Sequence, residues 1–169
     1  MKNNLLKYTF IFIALVLVQQ FVFNNIELNT YMNPYVYVLF ILILPFTLNK
    51  SLLLLLSFVL GATIDLLSGT LGLHSAACTL IGYLRPYVLS IFTSREDFEQ
   101  ELVPTIATYG LAWFVRYSGF LIVIHHWVLF TLESFTFENY GTTIIRILLS
   151  SVLTLFFVIL TEYAFSKQK

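Results

Sequence analysis

The chain reads as an all-α integral membrane protein: a single transmembrane domain of six helices, with both termini in the cytoplasm. Three observations predict this. Hydrophobic residues make up 59% of the 169 residues and charged residues only 11%, where a soluble domain carries about 25% charge. The apolar excess runs along the whole chain, which calls for several spans rather than one anchor. Lysine and arginine are distributed so that one orientation collects nearly all of them on one side.

The elements follow in order. Lys2 and Lys7 precede an apolar run that opens at Tyr8, and the run ends in Gln19-Gln20-Phe21-Val22-Phe23-Asn24-Asn25. No small-x-small cleavage site follows, so residues 8–23 read as an uncleaved first span rather than a signal peptide. A polar loop over 24–33 ends at Pro34. The second span is 35–48, short, with Pro45 near its end, and Asn49-Lys50-Ser51 turns the chain. The third span is 52–67, and its leucine run over 52–56 reads as lipid-facing. The fourth span is 71–92. A charged segment follows over 94–101, where Ser94 and Asp97 have capping-box spacing. The fifth span is 103–124, with an apolar extension through Trp127 to Leu132. After a loop over 133–141, the sixth span is 142–165.

With the N-terminus inside, Lys2, Lys7, Lys50, Arg85, Arg95, Lys167 and Lys169 all fall at cytoplasmic ends or loops. Glu27, Glu133 and Glu138 fall outside. Removing one span would scramble this bias, so it supports the count as well as the orientation.

Several function classes drop out. Formal net charge is zero, which leaves no basic surface for nucleic acid. The single cysteine, Cys78, cannot close an internal disulfide and reads as a small buried hydrophobe. There is no nucleophile elbow, phosphate loop, HExxH or paired metal-ligand spacing, so neither a catalytic residue nor a metal or cofactor site is expected. His125 and His126 are adjacent, diverge on a helix, and read with Trp127 as an interfacial belt.

Polar residues inside the spans are costly, about 2.5–3.5 kcal/mol for a charge at a helix centre on insertion scales, and should face the bundle interior. Helical phase puts Gly61 with Asp65, then His74 with Cys78, Gly82 and Arg85. It also groups Thr105, Thr108, Ala112, Arg116 and Gly119, and, in the last span, Thr143, Arg146, Ser150, Thr154 and Thr161. Such small or polar faces are how membrane helices pack closely. Gln19, Gln20, Asp65, His74 and Arg146 all lie toward the outer ends of their spans, and Arg116 near the middle. These are the candidate buried polar groups. Asp65 either pairs with Arg116 or Arg146 or caps the turn after its helix. His74 reads as a packing histidine or part of a site. Arg85-Pro86 reads as a cytoplasmic-end anchor with a kink.

The most distinctive stretch is 61–86: Gly61-x-x-x-Asp65-x-x-Ser68-Gly69-x-x-Gly72-Leu73-His74, then a small-residue helix ending Gly82-Tyr83-Leu84-Arg85. This pattern resembles the bacterial rod shape-determining protein MreD family, as do the size, the six spans and the proline near the end of span two. The resemblance implies a membrane component of the elongation machinery without catalytic activity. It implies partnership with MreC and, through it, with the MreB filament and the RodA/penicillin-binding-protein synthase, in the bacterial inner membrane. It implies a fold similar to the S component of energy-coupling-factor transporters, with a cavity open to the outer side. The motif positions it covers are Gly61, Asp65, Gly69, Gly72 and His74. The alternative is an S-component-like membrane subunit that binds a vitamin or a lipid, which the asparagines at 24, 25, 29 and 33 keep open.

Overall fold

The computed structural model describes residues 2–25, 32–94, 102–135 and 140–166, and every regular element among them is helical. In chain order these are α1 (Lys2–Phe21), a single turn α2 (Leu39–Leu42), α3 (Lys50–Ser68), α4 (Leu73–Phe92), a single turn α5 (Ile106–Tyr109), α6 (Leu111–Ser134) and α7 (Tyr140–Ser166). Five helical segments, all but the two single turns, are long and apolar enough to cross a membrane. The chain is thus a multi-pass membrane protein. Helix α3 packs on α4, α4 on α6 and α6 on α7, while α1 lies against α3 and the segment around α2.

Helices α1, α3, α4 and α7 lie within a few residues of the expected spans, apart from the N-terminal extension of α1. The fifth does not. Pro104 lacks an amide donor, Thr105 caps the single turn α5 by accepting from Thr108 N, and Gly110 sits at φ 82°. The long helix therefore starts only at Leu111 and runs to Ser134. The apolar stretch through Leu132 is the second half of this span, not an extension of it. The charged segment with Asp97 lies outside the described residues.

The second expected span is the other departure. Residues 35–48 form a 3-10 turn over Val36–Val38 followed by α2, and no long helix. Pro34 and Pro45 bracket the segment, and proline at these points interrupts the amide ladder. The segment nevertheless joins opposite ends of the bundle. Gln20 and Asn24 touch Leu67 and Ser68 at one end of α3, while Lys50 begins the other end, about 28 Å away at 1.5 Å per residue.

Broken backbone at membrane depth is tolerated only when protein supplies its hydrogen bonds. Here side chains from four helices do so. Gln19 of α1 donates to Pro34 O (3.0 Å) and accepts from Val36 N (2.8 Å). Thr154 and Ser150 of α7 accept from Tyr35 N (2.9 Å) and Asn33 N (3.0 Å). Arg85 of α4 donates to the carbonyls of Leu42 and Leu44. Tyr117 of α6 donates to Leu42 O at 2.9 Å and accepts from Arg85 Nε at 3.0 Å. Val36 through Leu42 are all at most 2% exposed, so this interrupted passage is the middle of the core.

Arg85 is therefore not a cytoplasmic-end anchor. It is 2% exposed and plugs the carbonyl end of α2, where a cation complements both the bare acceptors and the helix dipole.

The α3–α4 hairpin is closed by its small residues. A Cβ on Gly61 would lie 2.5 Å from His74 O and Ser75 Cα, and one on Gly82 would overlap Ser57. Only glycine allows the two backbones this approach. Leu52, Leu55, Phe58 and Val59 face outward on α3, as do Ile144, Ile145, Leu148, Val152 and Phe156 on α7. Leu53 of the leucine run points inward at 2% exposure.

Candidate functional site

The hairpin joining α3 and α4 is tied by one carboxylate. Helix α4 starts after Gly72, which has no side chain with which to cap it. Asp65 supplies the cap from the preceding helix. Its Oδ1 accepts from His74 N at 3.1 Å and Thr70 Oγ1 at 2.6 Å; its Oδ2 accepts from Ser75 N at 2.8 Å and Ser75 Oγ at 2.6 Å. These amides are the second and third of α4, the pair that an N-cap oxygen normally satisfies. Gly69, at φ 69°, ends α3 in the left-handed conformation that glycine enters without a Cβ penalty. Four donors leave Asp65 no call for an arginine. The expected pairing with Arg116 or Arg146 is not formed, and the capping alternative is, although the helix Asp65 caps is the next one.

Arg146 has its own partner. Its Nη1 and Nη2 lie 3.1 and 3.2 Å from Glu133, and its guanidinium lies 4.2 Å from the Phe130 ring centre, a cation–π contact. Arg116 is exposed near the start of α6 and, among the described residues, donates to Ala112 O at 3.1 Å. It drops out of the buried polar set, as do Thr105 and Thr108, because the helix begins later than its hydropathy suggests.

Behind the hairpin lies a cluster of aromatic and imidazole rings. Tyr37 Oη contacts His74 Nδ1 at 2.7 Å and His125 Nε2 at 3.1 Å. Tyr35 sits edge-on to His74 and tilted to His126. His125 and His126 are both wholly buried, so they are core residues and not an interfacial belt. The tautomer of neutral His126 follows from its neighbours. Its Nδ1 lies 2.8 Å from Ile122 O, an acceptor only, so Nδ1 carries the proton. Nε2 then accepts from Thr154 Oγ1 at 3.1 Å, and Thr154 accepts from Tyr35 N. Cys78 lies 3.9 Å from His125 Nε2, and both are fully buried.

On the other side of His74 a cavity of about 270 Å³ opens, lined by Phe23, Asn24, Asn33, Pro34, Tyr35, Ser68, Thr70, His74 and Arg146. Gln19 and Gln20 brace its wall. Gln19 donates to Asn24 Oδ1 at 2.9 Å, and Gln20 accepts from Asn24 Nδ2 at 3.0 Å.

The structure thus brings Gly61, Asp65, Gly69, Gly72 and His74 together in one hairpin, with Gln19, Gln20 and Arg146 around the adjoining cavity. Arg85 serves a separate place, the end of α2. Sequence reasoning missed Tyr35, Tyr37, Tyr117 and Glu162. Glu162 is 4% exposed, accepts from Ile106 N at 3.2 Å, and leaves its other oxygen bare. It was legible as a carboxylate inside the last span; the three tyrosines carry no pattern beyond lying in apolar sequence. Among the described residues no cluster of histidine, cysteine, aspartate or glutamate could hold a metal.

Apolar crossing helices, a carboxylate-tied hairpin and a buried passage held by polar side chains define a multi-pass membrane protein. Comparison with family models narrows this. The model of the rod shape-determining protein MreD matches residues 2–164, and the chain belongs to that family. Comparisons with curated proteins and with solved structures gave no match.

Proposed function

We propose that the chain is a non-enzymatic membrane scaffold of the bacterial elongation machinery. On this reading it binds MreC, and through MreC it helps position or activate the RodA/penicillin-binding-protein synthase along the MreB filament in the inner membrane. The observation that carries the proposal is the family match over nearly the whole chain. The interior agrees with it. Asp65, Arg85, Gln19 and Thr154 are engaged in holding backbone, which is what a rigid scaffold requires and what a general acid or base could not do at the same time.

The proposal includes six crossings with both termini cytoplasmic, residues 35–48 being the short second crossing. This keeps Lys50 and the exposed Arg116 at the inner ends of their helices. Depletion in a rod-shaped host, with complementation by plasmid-borne wild type and by Asp65→Ala, tests the reading. Rounding and lysis on depletion, with MreC co-purifying with the wild type, is the expected result. Normal shape with a new vitamin requirement would instead favour an S-component-like binding subunit, with the corresponding fold. The polar cavity beside His74 is the observation that favours this second reading.

A further inference from the structure

The cavity beside His74 has unspent hydrogen-bonding groups, and its volume of about 270 Å³ gives room for about nine waters at roughly 30 Å³ each. Some lining groups are already committed: Asn24 to Gln19 and Gln20, and Thr70 to Asp65. Four are not. His74 turns Nδ1 inward to Tyr37, which leaves Nε2 on the cavity side with no protein hydrogen bond among the described residues. The Tyr35 hydroxyl and the Asn33 side-chain amide likewise have none there. Arg146 Nε is buried without a partner, while its two terminal nitrogens hold Glu133. Buried polar groups are almost always satisfied in folded proteins; here one buried bare donor, Arg146 Nε, and three further polar groups from two other segments line a single space.

We propose that this cavity binds a phosphate-bearing polar group of headgroup size, with Arg146, Tyr35, Asn33 and His74 as its hydrogen-bonding shell. The guanidinium, phenol and amide all offer donors, which suits an oxyanion. Glu133 offsets part of the arginine charge. The cavity is bordered by Phe23, beside the outward-facing Phe21 and Val22 (71% and 47% exposed). Acyl chains attached to a bound headgroup would therefore meet apolar surface. The same chemistry could come from a phospholipid or from a free glycerophosphate. Binding of either is independent of the scaffold role.

The test is thermal unfolding of the full-length protein in neutral detergent against three additives: phosphatidylglycerol in mixed micelles, diacylglycerol in mixed micelles, and sn-glycerol 3-phosphate in solution. A ligand that binds only the folded state raises the unfolding midpoint. Phosphatidylglycerol is expected to raise it and diacylglycerol is not. Arg146→Gln and Tyr35→Phe should each raise the half-saturating concentration about tenfold or more, as loss of one charge-assisted hydrogen bond does. Arg116→Gln, an exposed cation near the start of α6, should respond as wild type. If sn-glycerol 3-phosphate alone reproduces the shift, the ligand is a soluble oxyanion; if only phosphatidylglycerol does, it is a lipid. No shift with either phosphate, equal shifts with diacylglycerol, or a wild-type response from both Arg146→Gln and Tyr35→Phe overturns the proposal. Should Arg146→Gln fail to fold, Tyr35→Phe, which keeps the ring and its packing, decides alone.

Discussion

Replacing Asp65 by alanine removes a carboxylate that accepts from two amides and two hydroxyls. The hydroxyls of Thr70 and Ser75 can turn to other acceptors. The amides of His74 and Ser75 cannot, because they are fixed by the helix they begin. A buried donor left bare costs about 1–3 kcal/mol, so the two together give about 2–6 kcal/mol. That exceeds the ~1 kcal/mol typical of a lost N-cap. Asp65→Asn keeps one acceptor oxygen and should lose roughly half as much. Reversible unfolding in mixed detergent micelles, followed by tryptophan fluorescence, measures both. A double-mutant cycle with Arg146→Gln should show coupling below about 0.5 kcal/mol, since the two residues share no partner. A loss under about 1 kcal/mol for Asp65→Ala would refute the capping account. Coupling to Arg146 as large as the single effect would restore an ion pair in its place.

Other outcomes follow from the packing. Gly82→Ala should cost about 1–3 kcal/mol by overpacking, and Ser57→Gly should recover most of it, because Ser57 is the group that the new methyl meets; unfolding midpoints of the single and double variants check this. Gly61→Ala meets backbone of α4 rather than a side chain, so no single truncation should rescue it, and a rescue screen that found one would contradict the geometry. Tyr117→Phe deprives both Leu42 O and Arg85 Nε of a partner and should cost about 1–3 kcal/mol, whereas Arg85→Ala, which also leaves Leu44 O bare, should cost more; the same assay ranks them. Cys78 is fully buried and should resist maleimide until the bundle unfolds, which labelling across a denaturant series reads directly.

Four of the crossing helices were legible because each is a sustained apolar run ended by recognisable punctuation. Gly69 and Gly72 marked the α3–α4 turn, and Asn49 the start of α3, where its side chain caps Ser51 N. The inward face of α4 was legible too, with His74, Cys78, Gly82 and Arg85 all buried; of the face expected on α7, Ser150 and Thr154 are buried while Thr143, Arg146 and Thr161 are half-buried. Hydropathy misplaced α6, because 103–110 carries no charge and runs directly into the helix after it, and only Pro104 and Gly110 mark the break between them. That shift moved Arg116 from mid-membrane to the helix start and turned His125 and His126 from the edge of a span into its interior. Residues 35–48 were apolar enough to read as a span. Their broken backbone depends on Gln19, Arg85, Tyr117 and Thr154, residues far apart in the chain, and no local window registers such support. Asp65 stood out in the sequence, but an arginine and a helix end are equally good partners for a carboxylate on paper, and only the fold brought the start of α4 to it.

The passage over 35–48 also carries a consequence for biosynthesis. The acceptor for Tyr35 N is Thr154, 119 residues later, and the partners of Leu42 O and Leu44 O come from α4 and α6. At a synthesis rate of about 5–20 residues per second, Tyr35 waits roughly 6–24 s for the residue that satisfies it. During that interval this segment holds unmade backbone hydrogen bonds while α1, α3 and α4 are already complete within themselves. The second segment to leave the ribosome is therefore among the last to reach its final form, and until α7 arrives it depends on water, the insertion machinery or a chaperone for the bonds that the finished protein provides.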